Sequence, residues 1–153
     1  MLQRLIELWD QNMPENAVIN DVILRSEHSL LEDEETREVT LIVASAEGEQ
    51  PAASVFLCEL APGKSCEVEI ELEYRNIGLL EEGTRLWERA REVVAEVSLS
   101  EKKRFLAPDR LAESSIILDY HFVLDFSDQE GTEKIIEQAA KDLGKLLQLS
   151  GVA

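Results

Sequence analysis

Two hydrophobic periods divide this chain into helices and strands. Residues 2 to 12 repeat apolar positions every three or four residues. Leu2, Leu5, Ile6, Trp9 and Met13 fall on one helical face, and Pro14 stops the helix. A Val- and Ile-rich run from Ala17 to Arg25 then predicts a strand. Glu32-Asp33-Glu34-Glu35 reads as a solvated acidic loop. Glu38 to Ala46 predicts a second strand, with Val39, Leu41 and Val43 on one face, and Glu47 to Pro51 carries turn chemistry. Ser54 to Leu60 is a nearly continuous apolar stretch and predicts a third strand, covered on both sides.

Pro62-Gly63 suits the central pair of a type II turn, since Pro fixes φ at the first position and Gly permits a positive φ at the second. The next strand has the cleanest alternation in the chain. Cys66, Val68, Ile70, Leu72 and Tyr74 point one way, and Glu67, Glu69, Glu71 and Glu73 point the other. One face belongs to a core; the other is a picket of carboxylates.

From Leu79 to Val97 the period turns helical, with Leu79, Leu86, Ala90, Val93 and Val97 as the apolar stripe. Ser98 to Ser115 is less regular and holds the basic cluster Lys102-Lys103-Arg104, and Pro108 could open one helical turn there. Ile116 to Phe126 predicts the last strand, with Asp119, His121 and Asp125 on its polar side. Ser127-x-x-Glu130 forms a capping box for a final helix, whose broad apolar face includes Ile136, Ala140, Leu143 and Leu147, with Gly151 closing it. The expected fold is therefore a single α+β domain over residues 1–153. It is a two-layer sandwich with an antiparallel sheet of about five strands and three main helices, in the order α-β-β-β-β-α-β-α.

Composition changes the picture mainly through charge. The 153 residues carry 32 acidic against 15 basic side chains, a formal net charge of -17. Such a field repels nucleic-acid phosphate and anionic lipid, so neither nucleic acid nor a membrane is the expected partner; basic or unfolded polypeptides are. The apolar runs extend to about four residues, as at Leu41 to Ala44, far short of a membrane span. Two cysteines, Cys58 and Cys66, fit a reducing cytoplasm and free, largely buried thiols, because a two-residue turn between them would send their side chains to opposite faces.

Candidate chemistry is sparse. The seven glycines make no phosphate-cradling motif, the two histidines, His28 and His121, are too far apart for H-E-x-x-H, and no G-x-S-x-G elbow is present. No catalytic residue and no cofactor is assigned. Asp119 and His121 lie two apart on one strand, about 6.8 Å between Cβ atoms, and with Asp125 they define an alternative reading as a small metal-binding protein or hydrolase. The leading reading is a protein-binding module. Glu67, Glu69, Glu71 and Glu73 would supply charge, and Trp9 and Trp87 would act as apolar anchors or core residues. A structural subunit of a larger assembly is a third possibility.

Between Val18 and Glu59 the order of a strand, an acidic loop, Glu38-Val39-Thr40-Leu41-Ile42-Val43 and then Phe56-Leu57-Cys58-Glu59 resembles the sheet of the SecB export chaperone family. Ala90-Arg91-Glu92 and Leu106-Ala107-Pro108 are similar to that family's helix and the segment behind it. The resemblance implies a homo-oligomer that holds unfolded preproteins in apolar grooves. Ser115 to Gly151, a strand and then an amphipathic helix, is similar in order to the small acidic chaperones of type III secretion, which implies a dimer. Both likenesses imply the holding of another polypeptide.

Overall fold

A computed structural model describes residues 2–46, 52–61, 63–75 and 80–149. These residues form α1 (Leu2–Asn12), β1 (Ala17–Ser29), β2 (Glu34–Ser45), β3 (Ala52–Ala61), β4 (Ser65–Arg75), α2 (Leu80–Ala90), β5 (Ser98–Ala107), β6 (Arg110–Asp125) and α3 (Gln129–Gln148). The six strands make one sheet in the order β1-β2-β3-β4-β6-β5, and every neighbouring pair is antiparallel. The α+β class holds, with one strand more than the sequence pattern suggested.

The extra strand is β5. Its sequence, SLSEKKRFLA, is charged and hardly alternates, because it lies at the sheet edge with almost every residue exposed. Pro108 and Asp109 form the turn that pairs Ala107 with Arg110, so the helical turn expected at Pro108 is replaced by a hairpin. Two further expectations shift for local reasons. Glu34 and Glu35 belong to β2 rather than to a loop, and Asp33 makes the turn with a φ of 52°. The α3 N-cap is Asp128, whose carboxylate accepts from the Gly131 N–H at 2.9 Å. Ser127 turns back instead, its hydroxyl and N–H both donating to Asp125 Oδ1. Gly63 has the positive φ, 73°, that the turn before β4 requires; Pro62, Leu79 and Gly151 lie outside the described residues.

One face of the sheet and all three helices share a single core. Val39, Leu41, Val43, Val55, Leu57, Val68, Ile70, Leu72, Leu118 and Leu124 are wholly buried from the sheet side. Trp9 and Leu5 of α1 and Ile136, Leu143 and Leu146 of α3 meet them from the helical side. Each such side chain contributes on the order of 2 kcal/mol by leaving water. A close approach lies between α3 and the loop after α1. Asn16 Nδ2 donates to the Gly144 carbonyl at 2.9 Å, and a side chain on Gly144 would meet the Pro14 ring.

The opposite face of the sheet has no described element packed on it. Ser54, Phe56 and Cys58 of β3 are half-buried there, so β3 is covered on one side only, in place of the two-sided cover its apolar run suggested.

Candidate functional site: the open face of the sheet

Strand alternation and register together place the chemistry of this face. Glu67, Glu69, Glu71 and Glu73 of β4 point outward because their neighbours, residues 66 to 74 in steps of two, are buried. Ladder pairing then brings other groups alongside. Glu71 stands between Ser54 and Asp119, Glu69 between Phe56 and His121, Glu67 between Cys58 and Val123, and Glu73 between Ala52 and Ile117. Directly paired side chains have Cβ atoms about 5 Å apart, so Glu71 and Asp119 are like charges in contact range. Glu38, opposite Cys58 on β2, adds a further carboxylate.

Apolar residues are interleaved with this charge. Ile42, Phe56 and Ile117 are half-buried and Val123 is exposed. Lys102 of β5 is the basic group that acts on Glu71. Glu71 nevertheless has its carboxyl pushed above the usual glutamate range, first by partial burial and then by the charges of Glu69, Glu73 and Asp119. The face is thus an apolar floor with carboxylates crowded along one strand.

Its border on one side is a free sheet edge. β5 pairs with β6 only as far as Ser98 opposite Asp119, so among the described residues 120–125 of β6 have β4 as their single partner. A notch of about 370 Å³ opens beside that edge, lined by Val94, Phe122, Ile135 and Ala139 with Glu96 and Asp142. Unpaired strand backbone next to an apolar notch is a surface on which an extended chain can add.

The other sequence candidates are placed differently. Trp9 is 0% exposed in the core, so the anchor role at a surface does not hold for it. Trp87 is half-buried and already committed: its Nε1 donates to the Val97 carbonyl at 2.8 Å, and Arg91 stacks 4.7 Å from its ring centre. It ties α2 to the turn that enters β5, which is a structural task. Asp119 and His121 do share the open face, but Asp125 is engaged by Ser127, whose hydrogen bonds hold its carboxyl below the usual range. Among the described residues no group of three or more His, Cys, Asp and Glu is disposed to hold a metal ion.

Cys66 is buried on the core side and Cys58 is half-buried on the open face, as the turn between them dictated; both are free. Burial pushes the Cys66 thiol up to about 12, and burial together with Glu38 and Glu67 raises Cys58 as well. Both shifts disfavour the thiolate, the nucleophilic form. A second cleft, of about 350 Å³, lies between α1 and α3 beside Leu5, Leu8 and Thr132, and the Arg4–Glu133 ion pair of 3.5 Å joins the two helices there. No described helix is long and apolar enough to cross a membrane. The fold thus defines an α+β domain with an acidic, partly apolar open sheet face. No protein-family model, curated protein or solved structure matches this chain.

Proposed function

We propose that this domain holds a polypeptide partner on the open face of its sheet, in a chaperone-like manner. The observation that supports this most is the composition of that face. Ile42, Phe56, Ile117 and Val123 sit among Glu67, Glu69, Glu71, Glu73 and Asp119, with nothing of the described chain above them. In a two-layer sandwich the second sheet face must be polar, covered by a partner, or both. An extended segment lying across β4 would set basic side chains on the carboxylates and apolar ones on Phe56 and its neighbours. Cations there would offset the charges of Glu69, Glu73 and Asp119 that, after burial, raise Glu71. The free edge of β6 offers main-chain hydrogen bonds to a further stretch of the same polypeptide.

The likeness in order to SecB and type III secretion chaperones agrees with this reading, and a cytoplasmic homo-oligomer is part of the proposal. The net charge of -17 disfavours nucleic acid and anionic membranes on the same face. The test is light scattering from a denatured model protein diluted into buffer with and without this protein. Suppression of aggregation at near-stoichiometric ratios, weakened by salt and lost in a Phe56→Ser/Glu69→Gln/Glu71→Gln variant, is the expected result. No effect at several-fold excess would end the general client-holding reading.

A further inference from the structure

Among the described residues, two ribbons of strand run on past the point where pairing with a third strand ends. The β2–β3 ladder begins at Glu38 opposite Cys58, so Ser26–Ser29 and Glu34–Arg37 run on as a two-stranded arm closed by Leu30 to Asp33. The β4–β6 ladder ends at Arg75 opposite Ser115, so Lys103–Ala107 and Arg110–Ser114 form a second arm closed by Pro108 and Asp109. At about 3.4 Å per residue each ribbon runs roughly 15 Å past its last pairing with a third strand, although β3 itself continues to Ala61 beside the first. The first arm leaves one end of the sheet at one edge, and the second leaves the opposite end at the other edge.

Both arms are tipped with apolar side chains held in water. Leu30 and Leu31 are 87% and 99% exposed, and Phe105 and Leu106 are 52% and 67% exposed. A two-stranded ribbon without a further strand or helix against it is marginal, and clustered exposed apolar groups mark contact surfaces. Their charges are opposite. Residues 26–37 carry five acidic side chains against Arg37, a net of -4. Residues 103–114 carry Lys103, Arg104 and Arg110 against Asp109 and Glu113, a net of +1, with Lys103 paired to Glu101 and Arg104 to Glu113 at the exposed surface, and Lys102 beside Glu101 at the root of that arm. In a chain of net -17 this arm is a positive outlier.

We infer that the acidic β1–β2 arm of one copy docks on the basic β5–β6 arm of another, Leu30 and Leu31 packing against Phe105 and Leu106. A reciprocal pair that used both contacts at once would have to stack two sheets face to face. On the open side that sets carboxylate picket against carboxylate picket; on the other side two helix layers separate the arms. The link is therefore head-to-tail, which builds rings or chains rather than a closed two-fold dimer. It leaves the open face free, so it is independent of the polypeptide-holding reading.

Sedimentation velocity over a concentration series tests it with two capped variants, Leu30→Ser/Leu31→Ser and Phe105→Ser/Leu106→Ser. The wild type is expected to associate with rising concentration and to dissociate when salt is raised from about 0.1 to 1 M. Each variant alone is expected to stay at the 17.3 kDa of one chain. Mixed, they are expected to give a one-to-one species of twice that mass, since each keeps the arm that the other lacks. A wild type that is monomeric throughout would overturn the inference. So would either variant associating alone as the wild type does, or a mixture that stays monomeric while the wild type associates. The unfolded-client assay reads neither of these outcomes.

Discussion

Gly144 and Gly83 both stand inside helices, yet a methyl group added to each should act in opposite directions. Replacing a helix glycine by alanine ordinarily gains about 1 kcal/mol of propensity. At Gly83 in α2 the new Cβ would lie 3.3 Å from the Ile116 side chain, a contact that a flexible side chain can relax by a few tenths of an ångström. At Gly144 in α3 it would lie 2.5 Å from Cγ of Pro14, a ring fixed to the backbone, and 3.2 Å from Asn16 Oδ1. Normal carbon–carbon contact is about 3.5–4.0 Å, so the loop or the helix must move by roughly 1 Å. Overpacking of that kind costs about 1–3 kcal/mol or more, and the Asn16–Gly144 hydrogen bond adds about 1 kcal/mol when strained. Gly144→Ala should therefore destabilise by about 1–3 kcal/mol net, whereas Gly83→Ala should be neutral or stabilising by up to about 1 kcal/mol. Urea titration followed by tryptophan fluorescence measures both, and a melting shift of about 2–4 °C per kcal/mol gives an independent check. A Gly144→Ala variant at least as stable as the wild type would refute the close packing of α3 on the Pro14 loop.

Three further outcomes follow from local physics. Asp128→Ala should cost about 1 kcal/mol by removing the α3 cap, and Ser127→Ala clearly less; the reverse order in urea titration would return the cap to Ser127. Glu71→Gln should be more stable than the wild type at neutral pH, because a carboxyl whose folded pKa is raised opposes folding once it ionises. That difference should be full above the raised folded value and should vanish as pH falls below the ordinary glutamate value of 4.5, so a pH-independent difference would contradict the crowding of this face. At pH 8 a thiol reagent should modify Cys58 slowly and Cys66 only as the chain unfolds; equal rates in the native protein, resolved by mass spectrometry, would contradict the burial of Cys66.

The core was readable because burial imposes a period. β4 alternates over nine residues without a break, and the stripes of α1 and α3 repeat every three to four residues, so each had one consistent assignment. β5 had none: an edge strand exposed on both faces is under no demand to alternate, and SLSEKKRFLA reads as loop by composition alone. The α3 cap was misplaced by one residue for a related reason. Ser127 and Asp128 are both good caps, and a local turn, in which Asp125 two residues back captures the Ser127 hydroxyl and N–H, decides between them.

The candidate surfaces divide along the same line. The glutamate picket was visible within one strand, since its four members are consecutive outward positions, but its neighbours Phe56, Ile117 and Asp119 arrive from strands 13 to 50 residues away through a register no local pattern encodes. The two arms were less visible still. Leu30, Leu31, Phe105 and Leu106 look like ordinary core residues in the sequence, and what exposes them is where pairing with a third strand ends. Among the described residues the β1–β2 ladder outruns the pairing of β2 with β3, and the β5–β6 ladder outruns the pairing of β6 with β4. A ribbon that outruns its sheet gives up burial on both faces, and an apolar tip on it is then a liability in an isolated molecule. Shortening either hairpin by a few residues would remove that liability with no loss of core. That the hairpins are instead long, apolar at the tip and opposite in charge is the reason to assign them a contact with another copy of the chain.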